Sequence, residues 1–101
     1  MEPHRIFSAL GDQTRLEVLS SLANHGPATA TQLAEMLPVS RQAIAKHLAA
    51  LDAVGLVSRE AAGREVRYSF QADPIDRVAT WARETGETWD RRLDRLRESF
   101  E

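Results

Sequence analysis

The stretch from Thr29 to Phe70 constrains the fold more than any other part of the chain. Thr29 and Gln32 form a capping-box pattern, so a helix starts there, with Leu33, Ala34 and Leu37 as its buried face. Pro38-Val39 is a turn. Ser40 is the N-cap of a following helix, and Gly55 is its C′ residue in left-handed geometry. Between them Ile44, Leu48 and Leu51 line one face, while Gln42, Lys46, Ala49 and Ala53 lie opposite. That second face is polar at its N-terminal end and small further along, which suits a helix lying in a groove. Leu56-Val57-Ser58-Arg59 reads as a strand, and Ala61-Ala62-Gly63-Arg64 as a turn with Gly63 able to supply positive φ. Val66, Tyr68 and Phe70 alternate with Arg67 and Ser69, the pattern of a half-buried strand. Helix, turn, helix and then a hairpin with a basic tip is the order of a winged helix-turn-helix, whose second helix enters a DNA major groove.

The flanking segments read as helices. Ile6, Phe7 and Leu10 form a short apolar stripe, interrupted by Gly11. Asp12 is placed to cap a helix from Thr14 to about Asn24, carrying Leu16, Leu19 and Leu22 and ended by Gly26-Pro27. Asp73-Pro74 opens what the pattern predicts to be one long final helix, to about Ser99. Along it Ile75, Ala79, Ala82, Gly86, Trp89, Leu93, Leu96 and Phe100 follow alternating steps of four and three, a heptad-like seam. The expected fold class is mainly α with a small β-hairpin, in the order α-α-α-α-β-β-α. It forms one domain over residues 1–101, with the helix-turn-helix at 29–55, the wing at 56–70 and a C-terminal dimerisation helix at 74–99. A chain of 101 residues builds a modest core and gains from a partner subunit.

Charge is distributed in a way the net value of −2 conceals. Residues 40–70 hold five basic side chains (Arg41, Lys46, Arg59, Arg64, Arg67) against three acidic ones (Asp52, Glu60, Glu65), and only this third of the chain is positive. A local basic patch is the electrostatic footprint of a small DNA-binding domain. The chain has no cysteine, which excludes disulfides, thiolate metal sites and cysteine nucleophiles. No apolar run approaches the roughly 18 residues that span a bilayer, and the N-terminus has no apolar signal core, so the expected compartment is the cytoplasm.

Two runs resemble a known family. Phe7-Ser8-Ala9-Leu10-Gly11-Asp12-Gln13-Thr14-Arg15-Leu16 is similar to the opening signature of ArsR-type (ArsR/SmtB) bacterial repressors. Leu33 through Leu48, including Pro38-Val39-Ser40-Arg41-Gln42-Ala43, resembles that family's helix-turn-helix. Ala53-Val54-Gly55-Leu56-Val57 resembles its exit into the wing. The likeness covers about residues 5–70. It implies cytoplasmic repression, usually of the regulator's own operon, by a homodimer built from the first and last helices. In this sequence that interface would draw on Ile6, Phe7, Leu10, Trp81, Trp89, Leu93 and Leu96. The family often adds a metal switch, and here the sequence departs from it. Arsenic-type sensors carry two cysteines just before the third helix, where this chain has Thr29 and Thr31, hydroxyls unsuited to a soft ion. Zinc-type sensors use histidine and carboxylates on the last helix, which here has no histidine; His4, His25 and His47 form no ligand spacing. The expectation is a cysteine-free branch with no metal site and no cofactor.

For DNA reading, Ser40 caps the helix and offers its hydroxyl or N–H to a phosphate. Arg41 matches guanine O6/N7 and Gln42 adenine N6/N7. Lys46 reaches a base or phosphate, Ala43 a thymine methyl, and His47 a phosphate at the groove edge. Arg64 and Arg67 on the wing reach the backbone or the neighbouring minor groove. Two such units would read an inverted-repeat operator in double-stranded DNA, with half-sites about one helical turn apart. A protein-interaction module that kept the fold but lost DNA binding is the main alternative; the acidic net charge fits it, the intact polar face argues against it. A repressor sensing a small molecule or a metal at a new site is another, and nothing in the sequence names an inducer. Ser40, His47 and Asp52 have the residue types of a catalytic triad. Ser40 and His47 nevertheless sit roughly 10 Å apart along one helix axis, out of hydrogen-bond reach. The sequence does not read as an enzyme.

Overall fold

In the computed structural model, which describes residues 3–100 apart from the side chains of residues 87–90, the second, third and fourth helices start where the sequence supplies a cap. After the short helix α1 (Pro3–Leu10), Asp12 accepts the Arg15 backbone N–H at 3.0 Å and opens α2 (Gln13–His25). Two residues, Ala28–Thr29, make a short strand β1. Thr29 then doubles as the N-cap of α3 (Ala30–Met36). The Gln32 N–H donates to Thr29 Oγ1 at 3.1 Å while the Thr29 N–H donates to Gln32 Oε1 at 2.9 Å, the expected capping box. Ser40 accepts the Ala43 N–H at 3.1 Å and opens α4 (Arg41–Ala53). A hydroxyl cap of this kind stabilises a helix by about 1 kcal/mol, because it satisfies a backbone donor that the helix itself leaves unpaired.

Strands β2 (Val57–Ala62) and β3 (Glu65–Phe70) form an antiparallel hairpin that pairs Ala62 with Glu65. The two-residue turn between them starts at Gly63, whose φ of 64° is unfavourable for a residue with a Cβ. The hairpin is longer on its first strand than the sequence suggests, since residues 60–62 continue β2. The sheet also has a third member that the pattern does not reveal: its order is β1-β3-β2, with Ala28 level with Tyr68 and Thr29 level with Arg67. Two residues are too few to show a period, and only the edge of β3 makes them a strand.

The core joins all of these pieces. Val18, Leu19 and Leu22 of α2, Leu33 of α3 and Ile44, Leu48 and Leu51 of α4 are buried together. This packing anchors the inner face of α4 and leaves its outer face to solvent.

The C-terminal segment corrects the expectation of a single helix over 74–99. It is two helices, α5 (Asp73–Thr85) and α6 (Glu87–Glu98), broken at Gly86 with φ 158° and ψ 154°. Arg97 Nη2 lies 3.2 Å from Asp76 Oδ1, and the Phe70 and Phe100 rings are 5.5 Å apart. On one straight helix Asp76 and Arg97 would be about 30 Å apart, so α6 turns back along α5. The reason is burial. Helix α5 carries Ile75, Val78, Ala79 and Ala82 on one stripe, and α6 brings Leu93 and Phe100 against the same core. Burying a leucine contributes about 1.5–3 kcal/mol, and glycine, a weak helix former, marks the cheapest place to bend. The seam in the sequence is therefore present but closes largely within one chain. Ile6, Leu10 and Leu93, expected at a dimer interface, are buried in this core, while Phe7, Trp81 and Leu96 are half-buried at its edge. Phe7 meets Trp81 edge-on with centroids 6.5 Å apart, tying α1 to α5. Trp89 lies outside the described side chains. Among the described residues no helix is long and apolar enough to cross a membrane.

Candidate nucleic-acid interface

Helix α4 presents two different faces because its buried residues recur at helical spacing. With Ile44, Leu48 and Leu51 inward, Arg41, Gln42, Ala45, Lys46 and Ala49 are exposed. The exposed set is cationic and polar over the first turns, and alanine lets the backbone come close to a partner surface. Ser40, also exposed, caps this end. The free N–H groups and the positive end of the helix dipole there favour an anion such as a phosphate.

The structure separates the expected residues into groups. Arg41, Gln42 and Lys46 share the outer face. Ala43 is half-buried, with its N–H committed to Ser40, and Ala45 is the exposed alanine beside Arg41. The sequence carried a signal for Ala45, since it lies one turn after Arg41. His47 is half-buried, and its Nδ1 is buried without a hydrogen-bond partner. It sits near the N-cap of α2. The Asp12 carboxyl is held below the usual carboxylate range, chiefly by the Arg15 N–H, against a desolvation penalty and with a smaller attraction from His47. His47 thus borders the core as much as the outer face.

The wing residues also divide. Arg64 lines a cleft of about 200 Å³ between the hairpin and α4, together with Ala30, Arg41, Ala45, Glu65, Val66 and Tyr68. Alternation along β3 puts Arg67 on the other side of the strand from Val66 and Tyr68, level with Glu60 on β2 and Thr29 on β1. Arg64 faces the same cleft as Arg41 and Ala45 of α4; Arg67 is exposed and does not line it. Arg59 Nη1 lies 3.8 Å from Asp52 Oδ2, a loose tie from β2 to the far end of α4.

Two residues that the sequence does not single out as part of this face are in contact with it. Thr31 Oγ1 donates to Glu65 Oε1 at 2.6 Å, and Arg41 Nε donates to Thr31 Oγ1 at 3.0 Å. The register explains the meeting. Ala28 and Thr29 are level with Tyr68 and Arg67, and α3 starts directly after them, so its first turn, with Thr31, lies beside the start of β3 and Glu65. Glu65 counts in the sequence only as an acidic offset to the basic patch, and the hydrogen bond spans 34 positions, so no local pattern announces it.

Ser40 and His47 are separated along α4 as the helix geometry requires, and no triad forms. Among the described residues no group of three or more histidine, aspartate or glutamate side chains is arranged to hold a metal ion.

Residues 12–59 match the family described as bacterial regulatory protein, arsR family. The chain is 42% identical over 77 residues to the HTH-type transcriptional regulator Rv2034 of Mycobacterium tuberculosis, a match covering 76% of this chain and 69% of that protein. It is 37% identical over 76 residues to the uncharacterized HTH-type transcriptional regulator YuzN of Bacillus subtilis, covering 69% of this chain and 83% of the relative. A solved ArsR-like transcriptional regulator from Rhodococcus sp. RHA1 superposes with a TM-score of 0.76 at 43% identity, over 95% of this chain and 90% of that one.

Proposed function

The chain belongs to the arsR family of bacterial regulatory proteins, and from that membership we propose that it is a dimeric repressor, acting in the cytoplasm on its own operon through an inverted-repeat operator. It is a DNA-binding transcriptional regulator, and its relatives are regulators rather than enzymes. One observation carries the proposal. The capped end of α4 exposes Arg41, Gln42 and Lys46, and the basic wing tip at Arg64 flanks the same cleft as Arg41 and Ala45. A helix so furnished fits a major groove, with Arg41 and Gln42 on base edges, Ser40 on a phosphate and Lys46 on either. Ala45 adds a small surface for close approach, with Ala43 behind it. Arg64 reaches the backbone beside the groove, and Arg67 and His47 serve flanking phosphates.

A second copy would dock on the partly exposed Phe7, Trp81 and Leu96 at the edge formed by α1, α5 and α6. Sedimentation should give a dimer; a monomer at operator-binding concentrations overturns that element. The arsenic-type switch does not fit these residues. Thr29 spends its hydroxyl on the α3 cap and Thr31 spends its own on Glu65 and Arg41, so neither position offers a soft ligand.

Gel shift and footprinting on the gene's upstream DNA, at fixed salt, test the reading. Arg41→Ala with Gln42→Ala should abolish specific binding and leave the thermal melt unchanged. A double variant that shifts the specific fragment as well as the wild type removes the site assignment. Arg64→Ala should weaken binding to every sequence and lower the salt slope by about 0.9, the value of one phosphate contact; an unchanged slope removes the wing from the interface.

A further inference from the structure

We propose that Thr31 and Glu65 are positioning residues for Arg41, fixing its guanidinium before DNA arrives and thereby setting the protein's discrimination at one base pair of each half-site. The inference rests on the reading of Arg41 as a base-contacting residue.

The hydrogen count supports a directed relay. A threonine hydroxyl has one proton to give and lone pairs to accept with. Thr31 gives its proton to Glu65 Oε1 at 2.6 Å and accepts the Arg41 Nε–H at 3.0 Å, so the hydroxyl both donates and accepts and the bonds run in one direction from Arg41 to Glu65. Arg41 Nη2 is 3.8 Å from the same Glu65 oxygen, too long for a hydrogen bond but close enough for attraction. With Nε engaged, the two terminal nitrogens remain to donate end-on to guanine O6 and N7.

The arrangement answers a specific problem. The Arg41 side chain is 65% exposed, and a long exposed side chain with no hold must be ordered when it binds. A bare Arg41–Glu65 ion pair at the surface would do little to order it. The hydroxyl between them adds direction, and it comes from α3 while the carboxylate comes from β3. The wing and the first helix of the motif thus act on a residue of the second. Glu65 does not cancel the cationic face, because Arg64 lies beside it in the same cleft.

The test uses the full chain and a duplex selected from a random pool by the wild-type protein, with every base pair then substituted singly at fixed salt. Thr31→Val keeps the branch at Cβ and removes the hydroxyl. It should reduce discrimination about tenfold at the base pair that Arg41 reads, and leave other positions and non-specific affinity within about twofold. Thr31→Ser should restore the wild-type profile, and Thr31→Val should add nothing in an Arg41→Ala background. Glu65→Gln should cause a smaller loss at the same base pair. If it instead tightens binding to all sequences alike, Glu65 is only a repulsive charge and the proposal falls. An unchanged Thr31→Val profile, with Arg41→Ala still losing discrimination, overturns the relay and spares the reading of Arg41. An unchanged Arg41→Ala profile, or no selected duplex at all, overturns both. Should Thr31→Val melt below the assay temperature, Glu65→Ala removes the other end of the relay and is judged by the same base pair.

Discussion

The reading segment, residues 29–70, and the C-terminal hairpin, residues 73–98, are both built on apolar helix stripes, yet they answer to different kinds of information. In the first, the helix starts and tight turns have local causes: the Thr29–Gln32 box, the Ser40 cap, Gly55 and Gly63 at positive φ. In the second, the stripe from Ile75 to Phe100 is compatible with one straight helix or with two packed together. The choice depends on whether Leu93 and Phe100 have a core to reach. A stripe says what must be covered; it does not say by what.

The largest effect should come from Leu48→Ala, since Leu48 is fully buried under the reading face. A loss of about 2–5 kcal/mol is expected in denaturant unfolding, and the whole domain should melt together. Leu93→Ala, at a site nearly as buried, should loosen α6 first and leave the α4 amides protected from hydrogen exchange. Equal loss of protection in both regions would show that they form one cooperative unit and break the contrast.

Gly86→Ala sharpens it. A Cβ at φ 158° and ψ 154° costs about 1–3 kcal/mol in the bent form, and alanine favours a continuous helix by about 1 kcal/mol. Spin labels at positions 77 and 94 should move from about 10 Å apart, a packed-helix separation, toward about 25 Å along one helix. No change in distance would mean that packing alone dictates the bend.

Ser40→Ala should cost about 1 kcal/mol, through a local cap with no tertiary partner. Hydrogen exchange should place the loss in the first turn of α4; a uniform loss would contradict a local origin. By contrast, Asp76→Ala and Arg97→Ala probe a pair that exists only because α6 folds back. Both side chains are partly exposed, at 55% and 38%, so a double-mutant cycle should yield only about 0.2–1 kcal/mol, falling with salt. Zero coupling at low salt would mean that the ion pair follows the fold-back without supporting it.

The smallest expected effect is one of pH. Asp12 is a carboxylate whose folded pKa lies below its ordinary 3.8, because the charged form accepts the Arg15 N–H. Its contribution is therefore present above that ordinary value and is lost as pH falls through the lower folded one. Asp12→Asn keeps a neutral cap, so the stability difference between variant and wild type should shrink on acidification through that window. A constant difference would remove the charge from the account.

Much of the candidate site was legible because its signals lie within a few residues of one another. Ser40 announces a helix start, and the spacing of Ile44, Leu48 and Leu51 then orients Arg41, Gln42 and Lys46 outward without any knowledge of the rest of the fold. Arg64 and Arg67 were equally basic in the sequence and became different only when strand alternation was placed against α4. Thr31 and Glu65 had no local signature, since their meeting depends on a two-residue strand pairing with the far side of a hairpin.

The sequence by itself determined the starts of α2, α3, α4 and α5, the place of the wing and the outward face of α4, because caps and hydrophobic period act over a few residues. Tertiary structure decided the third strand, the bend at Gly86 and the Thr31–Glu65–Arg41 contact, because each needs surfaces that meet only after distant segments have packed.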